Sequence, residues 1–230
     1  MDGMNQKDKS QNRREERQRQ ICRGALKLFR EKGFHSTTMR EIARASDVGL
    51  GNIYNYFSSK EDILFLVHNN ILDQIYKGFD ATSKTGDDPV EQLKSVIKSV
   101  FYLAYRFKDE MLFIYTETKS LERNYLHEIL QRESRFVADF AALIEKGVRQ
   151  GVFQCENPDL AANIIVLDMV ISPLRGWNIF PRYSAEELFE ALIRFILGGL
   201  GVTIDNEQAV GLEEDKRSKM SLQSRRGPIK

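Results

Sequence analysis

Hydrophobic residues recur along most of this 230-residue chain at the three- and four-residue spacing of amphipathic helices, and no segment sustains the alternation of a strand. The first helical segment, 13–32, ends at Gly33, which can act as its C-cap. The pattern continues over residues 60–77, 90–107, 110–120, 122–150, 158–172 and 184–200. With two short helices before residue 60, the pattern predicts an all-α fold of about nine helices.

The two short helices lie between residues 37 and 60 and are separated by a tight break at 47–49. Thr38 can cap the first of them, and Glu41, three residues later, completes a capping box. Two helices this short, joined by so few residues, are typical of a helix-turn-helix, whose second helix enters the DNA major groove. The sequence therefore predicts a DNA-binding unit near the N-terminus.

Proline and polar segments set the expected boundaries elsewhere. A loop is expected over 78–88, with Pro89 suited to the first position of the next helix. Pro173 should kink or end the helix 158–172 near its last residue and leave 174–177 as an extra turn. Residues 1–13 and 205–230 are polar, lack periodicity and are predicted to be disordered.

Charge is distributed unevenly. Residues 1–60 hold 13 Lys and Arg against 7 Asp and Glu, whereas residues 61–230 hold 21 against 26. A basic N-terminal part on a mildly acidic body suits contact with nucleic acid at one end, although a solvated charge bias without a partner is the alternative. The first turns of the first helix carry Arg13, Arg14, Arg17 and Arg19, as a phosphate- or groove-contacting arm or as a solvated helix end.

Several classes of protein are disfavoured by what the chain lacks. Cys22 and Cys155 have no metal-like spacing, so neither a disulfide framework nor a zinc site is expected. His35, His68 and His127 are scattered over different helices, and no nucleophile elbow, P-loop or dinucleotide fingerprint is present. We expect no enzyme, no cofactor and no bound metal. No signal peptide or membrane span is apparent, which predicts a cytoplasmic protein without a membrane partner.

A specific combination of residues over roughly 14–66 carries a resemblance to a known family. It consists of Ala25, Leu28, Phe29, Gly33, Phe34, the run TTMREIA at 37–43, Val48, Gly51, Ile53, Tyr54, Tyr56, Phe57, Lys60, Glu61 and Leu64. In this combination the chain resembles the TetR-like bacterial transcriptional regulators. Beyond residue 66 it is similar to that family only in the number and length of its helices.

The resemblance implies a homodimer whose two recognition helices enter successive major grooves of palindromic double-stranded operator DNA. It also implies a repressor that is released when a small-molecule effector fills the C-terminal bundle. Residues 1–13 would then be a basic arm, 14–60 the helix-turn-helix domain, 61–204 the ligand-binding and dimerisation domain, and 205–230 a tail.

The resemblance also implies a set of DNA-contacting residues. They are Thr38, Met39, Arg40, Gly49, Leu50, Gly51, Asn52, Tyr54, Asn55, Tyr56 and Lys60. Arg40 is the candidate for reading guanine, and Lys60 is expected to close on the DNA backbone. Asn52 and Asn55 read adenine or hold phosphate, and the residues do not separate these two roles. Ile53 and Phe57 are expected to pack inward.

Two residues of the turn depart from the family pattern. Asp47 stands where the family usually has glycine, so a left-handed conformation there would be somewhat strained. Gly49 stands where a polar cap is common, so the recognition helix is expected to be poorly capped.

Aromatic and apolar residues of the larger domain suggest a ligand pocket, although taken singly such residues are usually core. The predicted ligand-binding residues are Ile97, Phe101, Tyr105, Phe113, Glu117, Phe140, Met169 and Trp177. Residues 114–121 look like a stretch of the acyl-CoA-responsive branch, which predicts an effector such as a fatty acyl-CoA. Its phosphates would meet Arg106, Lys108, Arg175 or Arg182.

Two alternatives remain open from the residues alone: a regulator that responds to an aromatic or cationic compound, as in control of multidrug efflux, and a helical adaptor without DNA binding.

Helices 158–172 and 184–200 are predicted to form a four-helix interface with their copies, because their apolar faces exceed what one neighbour can cover. Helix 60–77 is expected to swing like a pendulum when ligand enters.

Overall fold

The computed structural model describes residues 6–83 and 86–203, which form ten α-helices, one 3-10 turn and no strand. The all-α class is confirmed. In chain order the helices are α1 (Gln6–Lys32), α2 (Met39–Ala45), α3 (Leu50–Ile53), α4 (Lys60–Ser83), α5 (Pro89–Arg106), α6 (Lys108–Glu117), α7 (Arg123–Arg149), α8 (Pro158–Met169), α9 (Ile171–Ile179) and α10 (Ala185–Gly199). We refer to α1–α3 as the head and to α4–α10 as the body.

The head is held together by a close crossing of α1 and the end of α2. A Cβ atom on Gly24 would lie 2.3 Å from Oγ of Ser46, so only glycine allows this approach. Beside it, the Gln20 side chain donates a hydrogen bond of 2.6 Å to the Ser46 carbonyl oxygen. Ile21, Ile42 and Ile53, one from each helix, are fully buried, and they give this small unit a core of its own.

Helix α1 begins earlier than the sequence pattern predicts. It starts at Gln6, so the prediction of disorder is wrong for residues 6–13, while residues 1–5 and the predicted tail over 205–230 lie outside the described part of the chain. Residues 6–23 contain neither glycine nor proline. Its polar side chains form i,i+4 pairs, including Gln11 with Glu15 at 3.0 Å and Arg19 with Glu15 at 3.3 Å. Such pairs stabilise this first part of α1, which has no apolar face.

Helix α4 is also longer than predicted and continues through residues 78–83, which the sequence assigned to a loop. Gly78 lies against α5, where a Cβ atom would come within 2.6 Å of Oγ of Ser99. One residue later, Phe79 is buried against Phe136 and Phe140 of α7, with ring centroids 5.5 and 5.7 Å away. Burial of this ring adds a turn to α4, which a propensity argument based on Gly78 does not anticipate.

The tenth helix arises from a break at Val170, three residues before the proline that was expected to cause it. Helices α8 and α9 meet there at 48°. Pro173 is the third residue of α9, a position whose N–H has no acceptor within the helix, and it therefore does not interrupt α9. No single helix of the described residues is long and apolar enough to cross a membrane; the α8–α9 pair reaches that length and composition only when its two bent halves are taken together.

The body is arranged around α5, which contacts α4 and α7 on one side and α8, α9 and α10 on others. Ile97, Phe101 and Ala104 of this helix are completely buried. Its start matches the sequence pattern, since the Asp88 side chain accepts a hydrogen bond from the backbone N–H of Val90, with Pro89 at the first turn. This central helix is the scaffold on which the other body helices are placed.

The predicted capping box at the start of α2 is confirmed, and it is reinforced from α1. The Thr38 backbone N–H donates to Oε2 of Glu41 at 2.9 Å, and the Glu41 N–H donates to the Thr38 hydroxyl at 3.4 Å. Nζ of Lys32, at the end of α1, lies 2.6 Å from the same carboxylate oxygen. The Lys32 hydrogen bond, followed by those from Thr38, lowers the pKa of Glu41 to about 2.

This network predicts a pH dependence of folding stability. Because the pKa of Glu41 is lower in the folded state than its ordinary value of 4.5, its stabilising contribution is complete above pH 4.5 and is lost as the pH falls towards 2. In urea denaturation followed by circular dichroism, Glu41→Gln should unfold more easily than the wild type at pH 6. This difference in the free energy of unfolding should shrink steadily between pH 4.5 and 2.

Glu145→Gln removes one negative charge from an exposed pair with Arg149 and serves as the control, since such pairs contribute little. A difference between wild type and Glu41→Gln that stays constant from pH 6 to 2 would contradict the prediction.

Candidate DNA-binding surface and ligand cavity

The turn between α2 and α3 is a Schellman motif with aspartate in the position that usually holds glycine. The N–H of Asp47 donates to the carbonyl of Arg44 at 3.2 Å, and the N–H of Val48 donates to that of Ala43 at 2.9 Å. Asp47 has φ of 51°, the only positive φ outside glycine in the described residues, as the sequence led us to expect. The turn therefore keeps its shape at a cost of about 1 kcal/mol relative to glycine.

The recognition segment begins at Gly49, which caps α3 without a side-chain hydrogen bond, as predicted. Although α3 itself spans only Leu50–Ile53, the N–H groups of Tyr56 and Phe57 both donate to the Ile53 carbonyl, at 3.0 and 3.1 Å. The helical course therefore extends to residue 57. Ile53 and Phe57 are buried, which confirms their predicted inward packing.

Most residues predicted to contact DNA remain accessible. Those with exposed side chains or backbone are Thr38, Arg40, Gly49, Leu50, Gly51, Asn52, Tyr54 and Asn55, and those partly exposed are Met39 and Tyr56. Nδ2 of Asn55 donates to Oδ1 of Asn52 at 3.0 Å, so the two amides are presented as a pair. Their contacts with DNA stay a prediction.

Lys60 is the exception, because its ammonium is used inside the protein. Nζ donates to the carbonyl oxygens of Phe34, His35 and Thr37 at 2.8, 3.1 and 3.2 Å, and it lies 4.6 Å from the centre of the Phe34 ring. These three acceptors match the three donors of an ammonium group. Rather than reaching outward, Lys60 ties the start of α4 to the loop between α1 and α2.

The first turns of α1 lie beside the recognition segment. The Arg14 guanidinium donates to the backbone carbonyl of Asn55 at 3.3 Å and lies 5.7 Å from the centre of the Tyr56 ring. Arg13 and Arg14 line a shallow groove together with Asn52 and Asn55. Arg19, in contrast, is paired with Glu15 and Glu16 at 3.3 and 3.9 Å. Part of the basic helix end therefore extends the candidate DNA-binding surface.

A cavity of about 430 Å³ lies inside the body, between α4, α5, α6, α7 and α8. This volume is in the range of small-molecule sites. Its apolar wall is formed on α4 and α5 by Ile71, Leu72, Ile75 and Val100, on α6 by Met111 and Ile114, on α7 by Ile129, Leu130, Phe136 and Val137, on α8 by Val166 and Leu167, and by Val170 at the break after α8. Its polar residues are His68, Tyr115, Thr118, Glu133 and Asn163. Because Ile129 is fully buried while Leu130 and Leu167 are exposed, the cavity runs from the core to the surface.

None of the eight residues predicted to bind ligand lines this cavity. Ile97, Phe101, Phe140 and Met169 are completely buried in the surrounding core, as expected if such residues serve packing and not ligand binding. Phe113 and Glu117 face the head, Tyr105 packs against Phe180 at 5.2 Å, and Trp177 is 74% exposed. All of them except Trp177, which is on α9, belong to helices that wall the cavity, but none of them lines it.

The four cations predicted at the pocket mouth also lie elsewhere. Each is placed over a neighbouring aromatic ring instead: Arg106 over Phe107, Lys108 over Tyr105, Arg175 over Trp177 and Arg182 over Tyr183, at 5.3 to 6.0 Å from the ring centres. Such cation–π pairs account for these side chains without a phosphate.

His68 is the residue that the sequence analysis missed. It falls between Leu64 and Ile71 on the apolar stripe of α4, so its position in the helical repeat could have indicated that it faces inward. It is only 4% exposed, and its Nε2 lies 3.3 Å from Oε1 of Glu133 on α7. A buried histidine paired with a carboxylate gives the apolar cavity a polar end.

Two of the cavity helices also contact the head. On α6, Phe113 stacks on Phe29 of α1 with centroids 5.3 Å apart, and Asp109 pairs with Arg30 at 2.6 Å. Met111, Ile114 and Tyr115 of the same helix line the cavity. Helix α4 similarly joins the Lys60 contacts at its start to the cavity wall, which begins two turns later at His68.

The start of α4 is further fastened to α7. The Tyr125 hydroxyl donates to Oδ1 of Asp62 at 2.7 Å, and the Tyr125 ring stacks on Phe65 at 4.2 Å. Burial alone would raise the pKa of Asp62, but hydrogen bonds from Tyr125, Ser58 and Ser59 bring it below its ordinary value. The bond to Asp62, followed by burial, raises the pKa of Tyr125 to about 12. The first turns of α4 are thus held by both head and body.

Helices α8 and α10 carry exposed apolar side chains. Leu160, Ile164 and Leu167 are spaced along α8, each more than half exposed, and Phe195 of α10 is 72% exposed. The two helices contact each other, so these side chains belong to neighbouring elements. The predicted four-helix interface with a second copy would cover them.

Comparisons with known proteins agree with this architecture. Residues 21–67 match the bacterial regulatory proteins of the tetR family, and residues 86–200 match the tetracyclin repressor-like C-terminal domain. The transcriptional regulator HbdR of Aromatoleum sp. (strain CIB) is 33% identical over 180 residues, which cover 76% of this chain and 77% of HbdR.

Solved structures show the same fold. A tetR-family regulatory protein from Rhodococcus RHA1 superposes with a TM-score of 0.75 at 19% identity, covering 82% of this chain and 98% of that one. AibR, solved with isovaleryl coenzyme A and operator DNA, superposes with a TM-score of 0.67 at 22% identity, covering 78% and 97%. The helix-turn-helix head, the helical body and these matches together show that the chain belongs to the TetR family of bacterial regulatory proteins.

Proposed function

We propose that this protein is a homodimeric transcriptional repressor that leaves a palindromic operator when an apolar effector enters the body. Residues 14–60 would serve as the DNA-binding domain and 61–204 as the ligand-binding and dimerisation domain. The observation that carries the proposal is the sharing of α4 and α6 between the cavity wall and the contacts with the head.

The coupling follows from those shared helices. An occupant that spreads the walls at Ile71 or Ile114 would shift α4 and α6, and the head would move with them through Lys60 and Phe113. In a dimer, such a movement changes the distance between two recognition segments that must fit grooves one helical turn apart. Because Lys60 joins α4 to the loop before α2, the head would move together with α4 as a rigid unit.

The effector class is supported by the apolar wall and by the size of the cavity. The volume corresponds to roughly 14 liquid water molecules, enough for an acyl chain or a small aromatic group but not for an attached nucleotide as well. AibR, which shares the fold, is solved with an acyl thioester of coenzyme A. We therefore propose an acyl thioester whose acyl part enters the cavity and whose coenzyme A part remains outside.

A second candidate effector is an aromatic or cationic compound. The observation that favours it is Glu133, a carboxylate in a cavity wall that includes neither lysine nor arginine among the described residues. Both candidates keep the same repressor mechanism and differ only in the chemistry of the occupant.

The first prediction is that the protein binds a palindromic site selected from random DNA or from the region upstream of its own gene. Saturating effector from an acyl-coenzyme A panel should weaken this binding 5- to 150-fold, the usual range of allosteric coupling. Tyr54→Ala, which changes an exposed residue of the recognition segment, should weaken operator binding and leave effector binding unchanged. Fluorescence anisotropy measures both. Failure of the wild type to select any palindrome would overturn the proposed function.

The second prediction concerns Arg14. If its guanidinium contacts phosphate, Arg14→Gln in a dimer removes two contacts, and the slope of log K against log salt should become shallower by about 1.8. Arg19→Gln is the matched control on the same helix, because Arg19 is already paired with Glu15 and Glu16. An unchanged slope for Arg14→Gln would show that this end of α1 is solvated and does not contact DNA phosphate.

The third prediction concerns the dimer. Phe195→Glu places a charge in the proposed α8–α10 interface, so the protein should sediment as a monomer and lose most of its operator affinity. Trp177→Glu is the matched control, since Trp177 is equally exposed at 74% but lies on α9. Sedimentation velocity at micromolar concentration distinguishes the two. Dimers that persist in Phe195→Glu and dissociate in Trp177→Glu would move the interface to α9.

A further inference from the structure

Four of the five polar residues of the cavity offer hydrogen-bond acceptors, and the fifth, Tyr115, carries a hydroxyl that can also donate. The Thr118 hydroxyl donates its proton to the Ile114 carbonyl at 2.6 Å, which leaves its oxygen as an acceptor. The Asn163 amide nitrogen donates to the Asp159 carbonyl at 2.9 Å, which leaves the side-chain oxygen as an acceptor. The Thr118 hydroxyl proton is therefore already used within the protein, whereas the Asn163 amide keeps a second N–H.

His68, which is buried, and Glu133, whose side chain is 46% exposed, add two more acceptors. Glu133 is a carboxylate and has no proton to donate when ionised. Nε2 of His68 lies 3.3 Å from Oε1 of Glu133, and a carboxylate at that distance favours the imidazole tautomer that carries its proton on Nε2. In this tautomer Nδ1 of His68 is an acceptor.

Nδ1 of His68 is also buried and has no hydrogen-bond partner in the described part of the chain. A polar atom buried in this way costs free energy unless something pairs with it, and such atoms in folded proteins are rare. Since His68 belongs to the cavity wall, a molecule in the cavity can supply the missing partner.

We propose that the part of the effector inside the cavity is apolar, carries no negative charge and bears a hydrogen-bond donor, such as a hydroxyl or an amine, that His68 and Glu133 accept. This inference rests on the proposed function and specifies the ligand of the same cavity. Glu133 also acts as a positioning residue, because its carboxylate holds the tautomer of His68.

Charge gives a second reason to exclude a free acid. A ligand carboxylate in this cavity would lie near Glu133 with no lysine or arginine in the lining to compensate it. Because the Glu133 side chain is 46% exposed, water screens part of the repulsion between two like charges there, and the remainder still disfavours a carboxylate. An acyl group held as a thioester is neutral and escapes this repulsion, whereas the corresponding free acid does not.

The test compares three probes of nearly equal size that differ in the group at one end. They are 1-decanol, which donates; its isomer 1-methoxynonane, which only accepts; and decanoate, which is anionic. Each is titrated against the full-length protein at pH 7.5, with displacement of the neutral dye Nile red as the readout. We expect 1-decanol to bind at least about ten-fold more tightly than 1-methoxynonane, because the ether leaves Nδ1 unpaired. Decanoate should be the weakest of the three.

Two variants separate the roles of His68 and Glu133. His68→Leu should remove the preference for 1-decanol over 1-methoxynonane while the dye still binds. Glu133→Gln removes the charge, so decanoate should bind about ten-fold more tightly than to the wild type. Glu145→Gln on the same helix α7, away from the cavity, is the matched control and should leave all three affinities unchanged. Operator binding of each variant, measured on the same preparation, shows that it is folded.

Equal affinity of the wild type for 1-decanol and 1-methoxynonane, tighter binding of decanoate, or no displacement by any of the three would overturn this inference. In each of these cases, operator binding by the same wild-type preparation would leave the proposed regulator standing. Loss of operator binding by the wild type as well would remove the proposed function itself.

Discussion

The stacking of Phe29 on Phe113, with centroids 5.3 Å apart and planes 11° from parallel, joins the head to the body at the helix that also walls the cavity. On α6, Phe113 faces the head and Ile114, the next residue, lines the cavity. Under the proposed mechanism, a displacement on one side would pass to the other with little loss, because packed side chains are not easily compressed.

The head can transmit that displacement only if it is rigid. Its rigidity comes from contacts that are individually small: the crossing at Gly24, the capping box shared by Thr38 and Glu41, and the three carbonyls that hold Lys60. Each of them joins two elements of the head, or the head and α4. The left-handed Asp47 is tolerated within this frame, since the surrounding hydrogen bonds define the turn.

The apolar walls of the cavity and its polar groups contribute differently to the choice of ligand. Apolar residues on five helices set its size, but they cannot distinguish one apolar molecule from another by more than shape. Discrimination by hydrogen bonding needs polar groups with unpaired capacity. His68 is buried, and a hydrogen-bond preference is strong there because water is excluded, while the Glu133 carboxylate beside it is partly exposed.

The sequence by itself determined the helical class, the capping box at Thr38, the inward packing of Ile53 and Phe57, and membership of the family. These features depend on residues within a few positions of one another, so local periodicity and hydrogen bonding are sufficient to predict them. Only the tertiary structure decided that Phe101 is core, that His68 faces a cavity and that Lys60 points inward. Periodicity identifies the apolar face of a helix, but whether that face meets a neighbouring side chain or an open space depends on helices far away in the chain.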